Sequence, residues 1–297
     1  MTNSRGVAGA RLVVAAPWVF VLFWSTGFIV ARYGTDDAAP LTFLTIRLVI
    51  AAAVLGVVAV VSGAPRLDRV ALRWASLAGV GLHALYLGGV FVAISWGMPS
   101  GVSALIAGLH PVLTTAVARV VLHERVARLQ WIGVALGVGG VSVVVIERLA
   151  VGSTGGVTVG GLIASAISVL GMVGGTLLQR RIGVQMPLLW GTVVQYAAAS
   201  AVLGVGAVIM GWRFEVTTRS VFAMAWALIV LSFAAVLIML WLLQRHAAAK
   251  VSSLFFLTPA LSAIEGAILF GERLGPAALV GLVAALAGVA LALRSAG

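Results

Sequence analysis

A few ionisable side chains of this sequence fall inside long apolar stretches, where they could bind a substrate or a proton. His83 and Tyr86 are three residues apart, so a helix would place them on one face. Glu265 is the only carboxylate well inside such a stretch. An ionisable group is costly within a membrane and therefore marks a candidate site. His83 could hold a substrate carboxylate or pick up a proton, and Glu265 could bind a substrate ammonium or a proton.

Structural roles are the alternatives for these side chains. His83 could be neutral and bonded to a neighbouring carbonyl group. Glu265 could form an ion pair with Arg47, or stay protonated in a hydrogen bond. Arg47 lies six residues into its own apolar stretch, about 9 Å deep at about 1.5 Å per residue, and its side chain could extend outwards to water.

Two prolines interrupt apolar stretches at corresponding places. Pro111 and Pro259 each remove a backbone donor and free a carbonyl group near the middle of the membrane. This predicts a hinge and a polar lining for a cavity, although neighbouring helices could equally satisfy a static kink. His110 precedes Pro111, where the second proline has Thr258 before it. His110 could donate to the site, or it could cap the freed carbonyl.

Aromatic residues add a second kind of candidate. Trp24 lies in the middle of the first apolar stretch, beside Ser25 and Thr26. An aromatic cavity would favour apolar or aromatic amino acids through burial and stacking, whereas packing against lipid is the alternative for each Trp. The predicted substrate-binding residues are Trp24, Thr26, His83, Tyr86, His110, Pro111, Met172, Phe255, Pro259 and Glu265.

Motifs of soluble enzymes are missing from the sequence. There is no phosphate-binding loop with Gly-Lys-Ser/Thr, the His and acidic residues lack metal-ligand spacing, and there is no Cys. We therefore predict a protein that is not an enzyme and that uses neither a metal nor a cofactor. An ATP-driven pump is disfavoured. Transport would be driven by a solute gradient or by exchange with protons.

Composition predicts an integral membrane protein. Hydrophobic residues make up 62% and charged residues 9% of the 297 residues, and the mean hydropathy is +1.17. A soluble domain is nearer half apolar and a quarter charged. The net charge of +11 comes from basic residues scattered between apolar runs, without the basic stripe that binds nucleic acid. The predicted partners are therefore membrane lipid and a small solute, and not nucleic acid.

Helices must position the candidate residues, because backbone groups in lipid need internal hydrogen bonds. A helix crosses the hydrocarbon with about 20 mostly apolar residues, and the connectors here are short and rich in Gly and Pro. We predict an all-α membrane protein with ten transmembrane helices. The spans cover Leu12–Tyr33, Leu41–Ser62, Leu72–Trp96, Ser100–Leu122, Leu129–Ile146, Val157–Leu178, Pro187–Met210, Val221–Leu243, Ser252–Phe270 and Pro276–Leu293.

The chain contains a repeat of almost half its length. Pro111 and Pro259 are 148 residues apart, and the same offset relates AVLGVVAV at 53–60 to AVLGVGAV at 201–208. Self-similarity at a fixed period indicates duplication. Because five spans per half is an odd number, the second half must insert upside down relative to the first. Inverted repeats with a site between them are typical of secondary transporters.

This organisation predicts two domains and an orientation. The first repeat covers 12–147 and the second covers 155–294, with a central cavity between them. With the N-terminus inside, thirteen basic residues lie on the cytoplasmic side and five on the opposite side. Cytoplasmic loops carry the excess of Lys and Arg. Both termini are therefore predicted to be cytoplasmic.

Two glutamates share the repeat offset and begin the fifth and tenth spans. Glu124 and Glu272 are 148 residues apart. A carboxylate at a helix start accepts bonds from free backbone amides and suits the helix dipole. We interpret both as caps of the helices that they precede rather than as substrate ligands.

Taken together, these motifs resemble the drug/metabolite transporter superfamily, and within it the proteins with tandem EamA domains. The matching features are the helix with an internal Pro, the Glu-Arg that follows it and the Gly-rich helix after that, in both halves. Trp-Ser-Thr-Gly-Phe at 24–28, together with His83 and Tyr86, is most similar to the aromatic amino acid exporters of the YddG type.

The resemblance implies a bacterial inner-membrane exporter that moves amino acids or related metabolites by alternating access. A broader drug or metabolite exporter is the first alternative, and a membrane-embedded protein without transport activity is the second. Protons are a candidate coupling ion. The oligomeric state is open, and a monomer is compatible with this reading.

Overall fold

The computed structural model describes residues 4–121, 127–150, 157–182, 186–245, 254–255, 257–272 and 275–294. Within these ranges the chain is almost entirely helical and has no strand; one isolated bridge joins Ala38 and Phe214. The predicted all-α fold is therefore confirmed.

The helices divide at the middle of the chain into two groups of similar order. The first half holds α1 (Ser4–Thr35), α2 (Pro40–Val61), α3 (Arg69–Ser95), α4 (Ser100–Ala107), α5 (His110–Val121) and α6 (Arg128–Ala150). The second half holds α7 (Val159–Ile182), α8 (Leu188–Met210), α9 (218–245), α10 (Leu257–Phe270) and α11 (Pro276–Arg294).

The helices are long and apolar enough for a multi-pass membrane protein. Among the described residues, seven helices could cross a membrane by length and composition, and three shorter apolar helices cover Ser100–Thr114, Leu257–Phe270 and Pro276–Gly288. Among the described residues, each predicted span overlaps one of these apolar helices. The count of ten crossings stays a prediction, because the shorter helices fall below the length that spans the hydrocarbon unaided.

A π-helical segment occurs at the same place in each half. In α3 it covers Val80–Leu85, and in α9 it covers Ala227–Ala234. A shift of 148 residues moves the first segment onto the second. Such wider turns inside α-helices are rare and often occur at functional sites. They could not be predicted from the sequence, because each mostly apolar stretch carries a single polar residue and gives no periodic pattern that would reveal the width of the turn.

The predicted interruption at Pro111 is a two-residue turn, Gly108 and Leu109, between two helical segments. Helix α4 ends at Ala107 and α5 begins at His110. Pro111 has no N–H to donate to the Ala107 carbonyl, and the His110 Nδ1 atom lies 3.2 Å from that oxygen. The capping alternative for His110 is therefore what the structure has. Pro259 packs opposite this turn, against Gly108.

Glycines allow the last helices of the two halves to approach closely. A Cβ atom at Gly140 of α6 would collide with the Gly281 carbonyl of α11, and one at Gly288 of α11 would collide with Gly137 of α6. Small residues permit such contact in lipid. Residue numbers rise along α6 as the contacted numbers fall along α11, so the two helices are antiparallel.

The second helices of the two halves repeat this arrangement. Helix α2 packs along α8. A Cβ atom at Gly56 would contact Val193, and one at Gly204 would contact Thr45. A shift of 148 residues converts one contact into the other, and the numbering again runs in opposite directions. Equivalent helices of the two halves therefore meet each other reciprocally and antiparallel in two places.

Candidate functional site

A cavity of about 380 Å³ lies between the two halves. Its wall is mainly apolar, with a few polar side chains, as is usual for small-molecule sites. The aromatic and Met side chains in the lining are Trp24, Phe28, Tyr86, Phe91, Met172, Met186, Tyr196, Met239 and Phe255. The polar and charged side chains are Arg47, His83, His110, Gln179, Thr192 and Gln195.

One end of the bundle, which we call the closed end, is joined by hydrogen bonds between connectors of the two halves. The Ala39 amide donates to the Arg213 carbonyl over 2.8 Å, and the Glu215 amide donates to the Asp37 carbonyl over 2.9 Å. The Thr217 hydroxyl donates to the Asp37 carboxylate over 2.6 Å. These bonds tie the α1–α2 connector to the α8–α9 connector.

Glu272 adds a second tie at the closed end. Its carboxylate accepts hydrogen bonds from the Ser100 amide and hydroxyl, both over 2.9 Å, and from the Gly101 amide over 3.3 Å. It therefore caps the start of α4, in the other half, so the prediction that Glu272 caps the helix it precedes was wrong. The four free amides at any helix start can be satisfied by a distant carboxylate as well as a local one. Glu124 lies outside the described residues.

The lining of the cavity extends towards the other end, which we call the open end. Gln179 near the end of α7, Met186 in the connector and Leu188 at the start of α8 all line it. Among the described residues at this end, the Trp190 indole donates to the Ala64 carbonyl over 3.2 Å. The described part of the cavity thus reaches from mid-bundle towards the open end, where the Trp190 bond also joins the two halves. The connectors at this end lie partly outside the described residues, which cover 127–150, 186–245 and 254–255 here.

A chain of neutral polar groups lines one side of the cavity. The His83 Nε2 atom lies 3.4 Å from the Gln195 Oε1 atom, and the Gln195 side-chain amide donates to Gln179 over 2.7 Å. The rings of His83 and Tyr196 pack edge to face with centroids 4.8 Å apart. The π-helical segment of α3 carries His83. These groups offer hydrogen-bond donors and acceptors to a solute without adding a fixed charge.

An aromatic cluster stands on another side of the cavity. The Trp24 ring packs edge to face on Phe255 with centroids 5.0 Å apart, and Phe20 packs against both rings. Trp24 and Phe255 line the cavity, whereas Phe20 is fully buried behind them. Such rings can bury and stack on an apolar or aromatic group of a solute.

Arg47 of α2 provides the positive charge of the lining. The side chain is 93% buried, with 7% exposed, and its Nε atom donates to the Ser232 hydroxyl over 3.2 Å. Ser232 lies in the π-helical segment of α9 and donates in turn to the Ala227 carbonyl over 3.1 Å. Of the described carboxylates, none forms an ion pair with Arg47.

The structure brings most of the predicted binding residues to the cavity. Trp24, His83, Tyr86, His110, Met172 and Phe255 are in its lining. Thr26, Pro111, Pro259 and Glu265 are not among the lining residues. Thr26 accepts a hydrogen bond from the Trp226 indole over 3.0 Å. That all of these residues bind substrate stays a prediction.

Glu265 lies where α10 meets α1. It accepts a hydrogen bond of 2.6 Å from the Ser25 hydroxyl through Oε1, while its buried Oε2 atom has no hydrogen-bond partner. The alternative in which Glu265 pairs with Arg47 is therefore not what the structure has. In the part of the chain that the structure describes, no group of three or more His, Asp or Glu could hold a metal ion.

Five polar members of the lining are absent from the predicted set: Arg47, Gln179, Thr192, Gln195 and Tyr196. The repeat is a sequence signal that could have identified Gln195. Gln195 lies 148 residues after Arg47, and Tyr196 lies 148 residues after Leu48. The repeat therefore makes them the equivalents of two residues of α2. A single polar residue in a long apolar run gives no further indication of the face that it occupies.

Comparison with known proteins agrees with this architecture. The family model of the EamA-like transporter family matches residues 13–146 and again 159–294. The Uncharacterized inner membrane transporter YedA of Escherichia coli K12 is 23% identical over 264 residues, covering 87% of this chain and 83% of that protein. The Uncharacterized transporter YvbV of Bacillus subtilis is 25% identical over 288 residues, covering 91% and 88%.

A solved crystal structure also shares the fold. It aligns with a TM-score of 0.63 at 19% sequence identity, over 93% of this chain and 94% of that chain. At this level of identity the likeness concerns the arrangement of helices alone.

Proposed function

Because this chain belongs to the EamA-like transporter family, with two EamA repeats, we propose that it is a secondary transporter that exports amino acids by alternating access. The observation that carries the proposal is the cavity of about 380 Å³ between the halves, tied shut at one end and lined by aromatic side chains. A solute site between two halves is the arrangement that alternating access requires.

The proposal includes an inverted relation between the repeats 12–147 and 155–294. The antiparallel, reciprocal contacts of α6 with α11 and of α2 with α8 support it. Such contacts are expected about a two-fold axis lying in the membrane plane, because a two-fold interface pairs each residue with its own equivalent partner. Rocking about that axis would exchange the closed and open ends.

Aromatic and other neutral amino acids are the substrates we propose, as in exporters of the YddG type. The cluster of Trp24 and Phe255 can bury an apolar side chain, while His83 and Gln195 offer hydrogen bonds to its polar end. Thr26, Pro111, Pro259 and Glu265 would then act from behind the lining, on the helices that move.

We also propose that the protein lies in the bacterial inner membrane with both termini in the cytoplasm. The inner-membrane relative supports the location, and the excess of basic residues supports the orientation. The closed end would then be periplasmic, and the cavity would face the cytoplasm, from which an exporter takes up its substrate.

Flux into and out of liposomes tests the function. Purified protein should move labelled phenylalanine or threonine down its gradient with saturable kinetics. Met172→Trp should lower the flux about 10-fold or more by filling the cavity, whereas Leu170→Trp should not, because Leu170 is 66% exposed on the outer face of the same helix and cavity space is what uptake needs. Flux no higher than in protein-free liposomes across an amino acid panel would contradict export.

Protons are a candidate coupling ion, and transport down the solute gradient alone is the alternative. Under proton exchange, His83→Ala or Glu265→Gln should flatten the pH dependence of flux while exchange of labelled for unlabelled substrate continues, because exchange needs no net proton movement. An unchanged pH dependence in both variants would remove proton coupling and leave the transport proposal in place.

A broader drug or metabolite exporter is the second candidate. The mainly apolar wall favours it, because burial of apolar surface is not selective for one class of solute. Competition of organic cations and nucleosides against labelled phenylalanine separates the two candidates. Strong competition by both would favour the broader exporter.

A further inference from the structure

Arg47 is a buried charge for which no described carboxylate provides a counter-ion. It is 93% buried, with 7% exposed, and it lies seven residues inside α2, about 10 Å from the closed end at about 1.5 Å per residue. A guanidinium stays protonated in proteins. A charge in this position is costly unless it is paired, and within the described ranges no Asp or Glu pairs with it.

The side chain is held so that its charged end remains available. The Nε atom is fixed by Ser232, whose own hydroxyl is fixed by the Ala227 carbonyl of the same π-helical segment. Within the part of the chain that is described, the two terminal nitrogens of Arg47 have no hydrogen-bond partner, and the side chain lines the cavity. The guanidinium edge therefore presents free N–H donors to a solute.

The remaining lining shows what the charge is suited to bind. Among the described residues, Arg47 is the only Lys, Arg, Asp or Glu in the cavity wall. The cavity therefore has a single fixed positive charge and aromatic walls, with neutral amides and hydroxyls between them. A planar guanidinium matches a carboxylate in a two-pronged hydrogen-bonded pair. A phosphate carries more charge than this one side chain would neutralise.

The repeat supplies a comparison that argues against a purely structural role. Gln195 holds the position of Arg47 in the second half. It faces the same cavity and forms its contacts without a charge. The fold thus accommodates a neutral side chain at this position, and the positive charge in the first half calls for another reason.

We propose that Arg47 binds the carboxylate of the substrate, so that the cavity selects monocarboxylates with an apolar body and rejects the corresponding amines. The inference rests on the proposed function and names the chemical group that the same cavity recognises. The aromatic cluster around Trp24 and Phe255 receives the apolar body. The α-amino group of an amino acid is accepted by neutral oxygen atoms such as that of Gln195, and it is not required for binding.

Binding of phenyl compounds to the purified chain in lipid nanodiscs tests the inference without depending on flux. The probes are 3-phenylpropanoate with only a carboxylate, phenethylamine with only an ammonium group, L-phenylalanine with both and 3-phenylpropanol with neither. We expect 3-phenylpropanoate to bind about 10-fold or more tightly than phenethylamine. A hydrogen-bonded pair with a charged group supports a ratio of that size.

Variants of Arg47 assign this selectivity to one residue. Arg47→Gln, which copies the second half, should lower the affinity for 3-phenylpropanoate about 10-fold and leave that for 3-phenylpropanol unchanged. Arg47→Lys keeps the charge but loses the planar fork, so it should fall between the two. Arg32→Gln removes a charge outside the lining and should change neither affinity.

Several outcomes would overturn the inference. Binding of phenethylamine as tight as that of 3-phenylpropanoate contradicts it. So does a failure of every probe to bind, and so does a preference for the carboxylate that persists in Arg47→Gln. If Arg47→Gln does not fold, equal affinities of Arg47→Lys and the parent chain for 3-phenylpropanoate contradict it instead. Carboxylate-selective binding without flux in liposomes would refute the transport proposal alone, whereas flux of amines and acids at equal rates would refute only this inference.

Discussion

The two halves of the molecule present the same positions to the cavity but fill them with different chemistry. Arg47 in the first half corresponds to Gln195 in the second, and His83 corresponds to Leu231. All four residues line the cavity. Equivalent positions of the two halves therefore line the cavity in the same way. At these positions the charge and the imidazole occur in the first half only, so the lining carries its charge on one side.

The helix contacts between the halves show the opposite behaviour. Gly140 and Gly288 are equivalent, and each meets the backbone of the other half's last helix. The packing contacts between the halves are thus alike, whereas the cavity-lining residues at equivalent positions differ. Under the proposed function, alike packing would let either end close, and unlike lining would suit a small asymmetric solute. Substitutions at the packing contacts and in the cavity lining test this contrast.

The largest effect is expected where the halves are alike. Gly140→Leu and Gly288→Leu should each destabilise the protein by about 3 kcal/mol, the upper end of the cost of overpacking, because the new side chain meets backbone atoms that cannot move aside. Thermal unfolding in detergent gives the measurement. Gly139→Leu is the matched control, since a Cβ atom there meets nothing within 4 Å. Unequal effects at Gly140 and Gly288 would break the two-fold comparison.

The next effect concerns a tie between the halves. Glu272→Ala should make the closed end open more often, because it removes three hydrogen bonds to Ser100 and Gly101. In a Met98→Cys background, where Met98 is 1% exposed, maleimide labelling should be about 5-fold to 10-fold faster, which corresponds to the net worth of one or two hydrogen bonds.

A cap inside one half provides the control for this experiment. Asp68 accepts the Ala71 amide over 2.7 Å at the start of α3, within its own half. Asp68→Ala should lower stability by about 1 kcal/mol as a lost cap without changing the labelling rate at Met98→Cys. Equal labelling rates in both variants would show that Glu272 does not hold the closed end.

A smaller effect is expected at the support of the charge. Ser232→Ala removes the hydrogen bond that fixes the Arg47 Nε atom and should lower the affinity for 3-phenylpropanoate about 3-fold to 5-fold, since one such bond is worth about 1 kcal/mol. Ser200→Ala is the matched control, because the Ser200 hydroxyl donates to the Ala197 carbonyl of its own helix. A 10-fold loss of affinity in the Ser200→Ala control would show that such substitutions act through folding and not through the support of Arg47.

The smallest effect is expected from making the halves alike at His83. His83→Leu copies Leu231 and removes the contact with Gln195 at 3.4 Å. Because this contact is long for a hydrogen bond, we expect about a 2-fold to 3-fold loss of affinity for L-phenylalanine by titration in nanodiscs. A loss as large as that of Arg47→Gln would show that His83 on α3 contributes as much to binding as Arg47 on α2.

Much of the fold could be predicted from the sequence, because the bilayer permits few structures and the repeat is long. The length of the apolar stretches predicts the helices, and Pro111 predicts the interruption between α4 and α5. The π-helical segments could not be predicted, since the hydrogen bonding of a wider turn leaves no periodic pattern in a mostly apolar sequence. The cap formed by Glu272 could not be predicted either, because its partner Ser100 lies 172 residues away.

The candidate site was less accessible to sequence reasoning. His83 and Tyr86 could be placed in the cavity from their shared helix face. Glu265 could not be placed, since apolar neighbours on all sides hide whether a helix face meets lipid, a partner helix or a cavity. The sequence allows Arg47 either to extend to water or to pair with Glu265, whereas in the structure its hydrogen bond to Ser232 of α9 fixes it in the cavity wall.

Two-sided labelling of the cavity tests the central claim most directly. With a single cysteine at Met172→Cys in a chain that has no native Cys, an impermeant maleimide is applied to either face of oriented vesicles. We predict labelling from the face of the open end alone without substrate, and from both faces when L-phenylalanine is present. Labelling from one and the same face under both conditions would contradict a cavity that alternates between the two sides of the membrane.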